Sequence, residues 1–118
     1  MATDSGRVFL AEARKLVAAS WTQYADARDA DGEVTEPWRA DAVSWSLLGA
    51  LVASYERLAF LDGQVVALES LGKACALLAE VVESDTLSEW NDAAGRTQAD
   101  VLATLDKAGR LTADSGKR

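Results

Sequence analysis

Apolar residues recur at three- and four-residue intervals along four stretches of this chain, the period of a helix that buries one face. In the first stretch Phe9, Ala13, Leu16, Val17 and Ser20 share one stripe. Asp4 or Ser5 is placed to cap its start, and the pattern fades between Trp21 and Tyr24. A polar segment, 25–36, follows. The second stretch opens with Thr35-Glu36-Pro37-Trp38, where Thr caps and Pro takes the first turn. Its apolar face runs through Trp38, Ala42, Trp45, Leu48, Val52 and Tyr55, and Gly49 on that face predicts the close approach of another helix. Asp62-Gly63 reads as a tight reversal.

Gln64 opens the third stretch, with Leu68, Leu71, Cys75, Leu78 and Val82 as its inner seam. A loop, with room for one helical turn, then runs from Glu83 to Trp90, and Asn91-Asp92-Ala93-Ala94-Gly95 breaks the chain again. Thr97-Gln98-Ala99-Asp100 resembles a capping box with Asp in place of the usual Glu. The fourth helix continues through Val101, Leu102, Leu105 and Ala108 and frays near Gly109. Connections that are long, short and long predict an all-α, single-domain, up-down four-helix bundle over 1–111, with 112–118 as a disordered tail. In that arrangement the first and third connections lie at the same end.

Composition narrows the chemistry. The 118 residues contain no histidine and one cysteine, and the net charge is −7. Ser-His-Asp and Cys-His mechanisms are excluded, as are histidine zinc sites. Cys75 falls in an apolar seam and has no histidine to activate it, so it reads as a small core residue. The acidic balance argues against binding nucleic acid through phosphates. No apolar run reaches the length of a membrane span, no secretory leader is evident, and the single thiol fits a reducing compartment; the expected location is the cytosol.

The charge is segregated. Residues 26–41 hold six acids against Arg28 and Arg39, and residues 80–92 hold five acids and no base, leaving the rest of the chain at +2. Both segments fall in the connections expected to meet. Trp21, Trp38, Trp90 and Tyr24 are placed at the same pole, with Arg28 and Arg96 in or beside it, while Trp45 is expected deeper in the core. Asp29-Ala30-Asp31-Gly32 looks like part of a calcium loop. With Gly32 at position 6, however, position 1 is Ala27 and position 12 is Trp38, so the ligand set fails at both ends. No metal and no cofactor are expected.

Two readings of the pole stand side by side. Structurally, the aromatics pin the connections and Arg28 or Arg96 braces them through Asp29 or Asp92. Functionally, clustered carboxylates attract a basic protein surface and the aromatics anchor it.

The blocks "WTQYADARDADG" (21–32), "AVSWSLLGAL" (42–51) and "WNDAAGRTQADVLATLD" (90–106) resemble an uncharacterised family of small helical proteins. Its members occur in bacteria, notably actinobacteria and some proteobacteria, and in their phages, and it is known only as a domain of unknown function. Members often carry Cys near position 46, where this chain has Ser46. The resemblance implies no activity. It directs attention to Trp21, Ala27-Arg28-Asp29, Trp90-Asn91-Asp92 and Arg96-Thr97.

The leading expectation is a small non-enzymatic cytosolic protein acting through protein–protein contact, with Trp21, Tyr24, Arg28, Asp29, Asp31, Trp38, Trp90, Asp92 and Arg96 as candidate binding residues. A phage source, which the resemblance allows, would make the partner a host protein. The alternative is a small-molecule- or metal-binding protein, or an enzyme, with a pocket at the same pole built from Asp29, Asp92, Arg28 and Arg96 between Trp21 and Trp90. A third reading is a homo-oligomer packed through exposed helical faces.

Overall fold

In the computed structural model, which describes residues 2–84 and 86–116, the chain folds into one mostly helical body of 45 × 32 × 21 Å. The elements in order are α1 (Ala2–Ala19), β1 (Ala27–Arg28), β2 (Val34–Thr35), β3 (Ser44–Trp45), α2 (Leu47–Asp62), α3 (Gln64–Val82), α4 (Leu87–Asp92) and α5 (Gln98–Gly116). Four long helices share one core, in which Phe9, Val17, Leu47, Leu51, Leu78, Val101 and Leu105 are fully or almost fully buried. The antiparallel sheet has the order β2-β1-β3, with Ala27 opposite Thr35 on one side and Trp45 on the other.

The sheet corrects the expected second helix. Thr35 ends β2, Pro37 is buried in a turn, and Trp45 lies in β3, so α2 starts only at Leu47. The cap is Ser46, whose Oγ accepts the Gly49 N–H at 3.0 Å, a contact that stabilises a helix start by about 1 kcal/mol. The four- and three-residue spacing of Trp38, Ala42 and Trp45 matches a helix by coincidence. Backbone groups at 43–45 pair instead with Arg28 and Ser20. The first helix also ends earlier than its pattern suggested, at Ala19, because Trp21 is drawn into a β-bridge with Trp45.

Both helices of the α2–α3 pair are rotated from their expected faces. The inner face of α2 is Leu47, Ala50, Leu51, Ser54 and Leu58, with Leu48, Val52 and Tyr55 half-buried. The inner face of α3 is Ala67, Ser70, Ala74 and Leu78, while Leu68, expected inside, is 59% exposed. Small residues let α3 seat closely, and the Ser54 and Ser70 hydroxyls donate to the Ala50 and Val66 carbonyls one turn back, so their burial leaves no polar group unmet. Trp45 is half-buried in β3, not deep in the core.

Other local signals hold. α3 stops at Val82, with Glu83 in the left-handed conformation (φ 56°) and the Ser84 N–H donating to the Ala79 carbonyl. The capping box of the last helix is reciprocal: the Thr97 N–H donates to Asp100 Oδ2 at 3.0 Å and the Asp100 N–H to Thr97 Oγ1 at 3.1 Å. The fraying expected near Gly109 does not occur: α5 runs past it to Gly116. Along its length Arg14 forks onto both Asp106 oxygens at 2.6 and 3.2 Å, a pairing that raises the Arg14 pKa. No helix is long and apolar enough to cross a membrane among the described residues.

Cys75 is half-buried against the core, and desolvation pushes its thiol pKa up. Alkylation by iodoacetamide near neutral pH should therefore run well below the rate of an unstructured peptide thiol and recover that rate in urea. The same shift means that its contribution to folding stability is complete below the ordinary thiol pKa and is lost as pH rises through the folded value. Alkylation at the peptide rate in the folded chain would contradict the burial.

Candidate functional site

The first connection (20–46) and the third (83–97) meet, and one amide joins them. Asn91, on α4, is 0% exposed. Its Oδ1 accepts the Trp21 indole N–H at 2.7 Å and the Leu47 backbone N–H at 3.0 Å. Its Nδ2 donates to the Thr22 carbonyl at 3.2 Å and to Asp92 Oδ1 at 3.0 Å. An amide has two donor hydrogens and two acceptor lone pairs, and here all four are used. One side chain therefore ties the exit of α1, the loop after it and the first turn of α2 to α4. Gln23 adds a second tie, with Nε2 donating to the Asn91 and Ala93 carbonyls at 3.0 and 3.2 Å.

Asp92 extends the lock. The Oδ1 that receives Asn91 also accepts the Tyr24 N–H at 2.8 Å. Tyr24 is held there at φ 65°, a left-handed conformation that a bulky side chain seldom adopts. The residue as a whole is 69% exposed. Immediately afterwards the Asp26 carbonyl accepts the Ser46 N–H at 3.0 Å and lies directly against Gly49 of α2. Gly49 was expected to admit another helix; what it admits is the backbone of the first connection. Tyr24, Ala25, Asp26, Ser46, Ser88 and Asp92 line an open cleft of about 290 Å³ at this junction.

The two arginines brace the chain through carbonyls and a ring. Arg28 donates from Nε to Thr22 Oγ1 at 2.9 Å, from Nη1 to the Gly32 carbonyl at 3.0 Å and from Nη2 to the Gln23 carbonyl at 3.2 Å. Arg96 donates to the Trp90 carbonyl at 2.8 Å and stacks its guanidinium 3.9 Å from the Trp90 ring centre. The expected pairing of either arginine with Asp29 or Asp92 is not formed. Those carboxylates take backbone N–H groups: Asp29 Oδ1 accepts from Asp31 and Glu33 at 2.9 and 3.0 Å and closes the turn between β1 and β2. This is the segment that resembled a calcium loop. No group of three or more His, Cys, Asp or Glu side chains suited to a metal ion occurs among the described residues.

Of the nine expected binding residues, Tyr24 and Asp92 line the cleft, and Trp21 is linked to Asp92 through Asn91 without lining it. Arg28, Asp29, Trp90 and Arg96 stabilise the connections around it, and Asp31 is exposed in the turn. Trp38 is 52% exposed but lies elsewhere, with Pro37, Trp45, Leu16 and Arg57 in a groove of about 390 Å³ between α1 and α2. Sequence reasoning missed the roles of Asn91, Ser46 and Ser88. Asn91 sits in the W-N-D block, but periodicity assigns an isolated asparagine to a loop and is blind to an amide buried by contacts 44 to 70 residues away.

A small, mostly helical protein, with a short three-stranded sheet and two connections locked around a buried asparagine, is the class these observations define. The chain belongs to the Family of unknown function (DUF6197), whose model matches residues 1–111. No curated protein and no solved structure matches it.

Proposed function

We propose that this chain is a non-enzymatic binding protein whose junction of the first and third connections takes up a basic segment of a partner protein. The observation that carries the reading is Tyr24: an exposed aromatic residue on a strained backbone, held by Asp92 beside a cleft that also presents Asp26. Such strain persists only where the surroundings over-determine it, and it concentrates at functional positions. Asp26, Asp31, Glu33, Glu36 and Glu89 have no ion pair among the described residues, so their field faces solvent and favours encounter with a cationic segment. A phage-encoded member of the family directed at a host protein is one setting that such a surface would serve.

Tyr24→Gly tests this directly. Glycine adopts the left-handed conformation freely, so the variant should fold with stability unchanged or raised by up to about 1 kcal/mol in urea melts. Immobilised wild-type protein should retain a basic protein from bacterial lysate at low salt. Tyr24→Gly and the triple variant Asp26→Asn, Asp31→Asn, Glu33→Gln should each lose it. Equal retention by all three proteins would reject the junction as the binding surface.

A further inference from the structure

The helical pair α2–α3 carries more apolar surface than its own core uses. On α3, Val65, Leu68, Gly72 and Ala76 follow one another at helical spacing and are all exposed, Val65 at 72%. This stripe lies roughly opposite the buried one of Ala67, Ser70, Ala74 and Leu78. Charge on the helix is confined to one flank, at Glu69, Lys73 and Glu80. A helix apolar on both sides is normally covered on both sides. At the adjoining end of α2, just before the Gly63 turn into α3, Phe60 is 90% and Leu61 62% exposed, so apolar side chains face solvent on both sides of that turn.

We propose that this face is the interface of a homodimer in which α3 packs against α3 of a second copy about a two-fold axis. The exposed portions of Phe60, Leu61, Val65, Leu68, Gly72 and Ala76 come to on the order of 600 Å² per copy, so a pairing that covered them all would remove up to about 1,200 Å², which reaches the lower edge of the range for specific interfaces. A patch of about 600 Å² stands at the upper end of what an ordinary monomer exposes, where patches are often functional. The absence of charge from its centre matches homodimer cores, which are more apolar than transient hetero-interfaces. Gly72 has nothing within 4 Å of where a Cβ would stand, so the middle of the stripe is open to a neighbouring backbone. A lipid surface is the weaker match, because interfacial helices flank the apolar face with Lys and Arg, whereas this flank carries two glutamates and one lysine on a chain of net charge −7. The acidic junction of the first and third connections plays no part in this contact.

Sedimentation equilibrium of the full chain from about 1 to 200 μM tests the proposal. The wild type should shift from monomer to a species of twice the 12.5 kDa chain mass as concentration rises. Leu68→Glu and Val65→Glu, both at solvent-exposed positions, should remain monomeric at every concentration with unchanged helical circular dichroism. A wild type that stays monomeric throughout, or a dimer that survives both substitutions, would overturn it. Binding of the monomer to phosphatidylcholine vesicles, abolished by Leu68→Glu, would also overturn it in favour of a lipid surface.

Discussion

Asn91→Ala is expected to destabilise the fold by about 3–5 kcal/mol, a large part of the total stability of a domain this size. The cost comes less from hydrogen bonds lost than from partners left behind. The Leu47 N–H, the Trp21 indole N–H and the Thr22 carbonyl would each lose their partner where water has little access. The Leu47 group is also one of the first N–H groups of α2, which no helical carbonyl can satisfy. Equilibrium urea unfolding followed by the summed fluorescence of the four tryptophans reads the stability. Asn91→Asp separates the two halves of the amide. It keeps the acceptor for Trp21 and Leu47 but removes both donations and sets a second carboxylate beside Asp92. Its destabilisation should be large at neutral pH and shrink as pH falls and the new carboxyl protonates, since the folded state would hold that proton more tightly than the unfolded chain. A loss below about 1 kcal/mol for Asn91→Ala would mean that the amide decorates the junction without holding it.

Gly49→Ala should also destabilise, by about 2–4 kcal/mol, although glycine-to-alanine inside a helix ordinarily gains about 1 kcal/mol. A Cβ at this position would collide with the Asp26 carbonyl oxygen and lie 2.6 Å from its carbon and 3.1 Å from its Cα. None of these is a side-chain end that could swing away. The first connection would have to lift, breaking the Ser46 N–H to Asp26 contact and disturbing the cleft beside Tyr24. The variant should therefore show a lower urea midpoint together with altered near-ultraviolet circular dichroism. A gain in stability, as at an exposed helical site, would show that the connection does not rest on α2. Asn91 and Gly49 are about 40 residues apart in sequence, yet both hold the same loop, so their effects should not add.

The helical character of the protein and several of its punctuation marks were legible in the sequence because they are local. The stripes of α1 and α5, the reversal at Gly63, the stop after Val82 and the Thr97–Asp100 box each depend on residues within a few positions of one another. The segment 35–46 was not legible. Whether Trp38, Ala42 and Trp45 mark a helix or flank a strand depends on whether Ala27 and Arg28 offer an edge to pair with, and nothing within 35–46 records that. The faces of α2 and α3 were misjudged for a related reason. A helix apolar nearly all round has no single face that pattern alone can select, so packing chose the small residues of α3 and left Leu68 outside.

At the junction, residue type limited the chemistry and contact assigned the roles. With no histidine and one thiol, the chain's composition alone removed whole classes of mechanism, and charge counting located the acids. Only the tertiary structure decided that Arg28 and Arg96 serve carbonyls, that Asp29 closes a turn, that Trp38 belongs to another groove, and that Asn91 joins three segments. Composition and periodicity are sums over neighbours in the chain and carry over intact into the fold. A buried hydrogen bond is instead a choice among many donors and acceptors, and it is settled when distant segments are brought within 3 Å of one another in a place from which water is excluded.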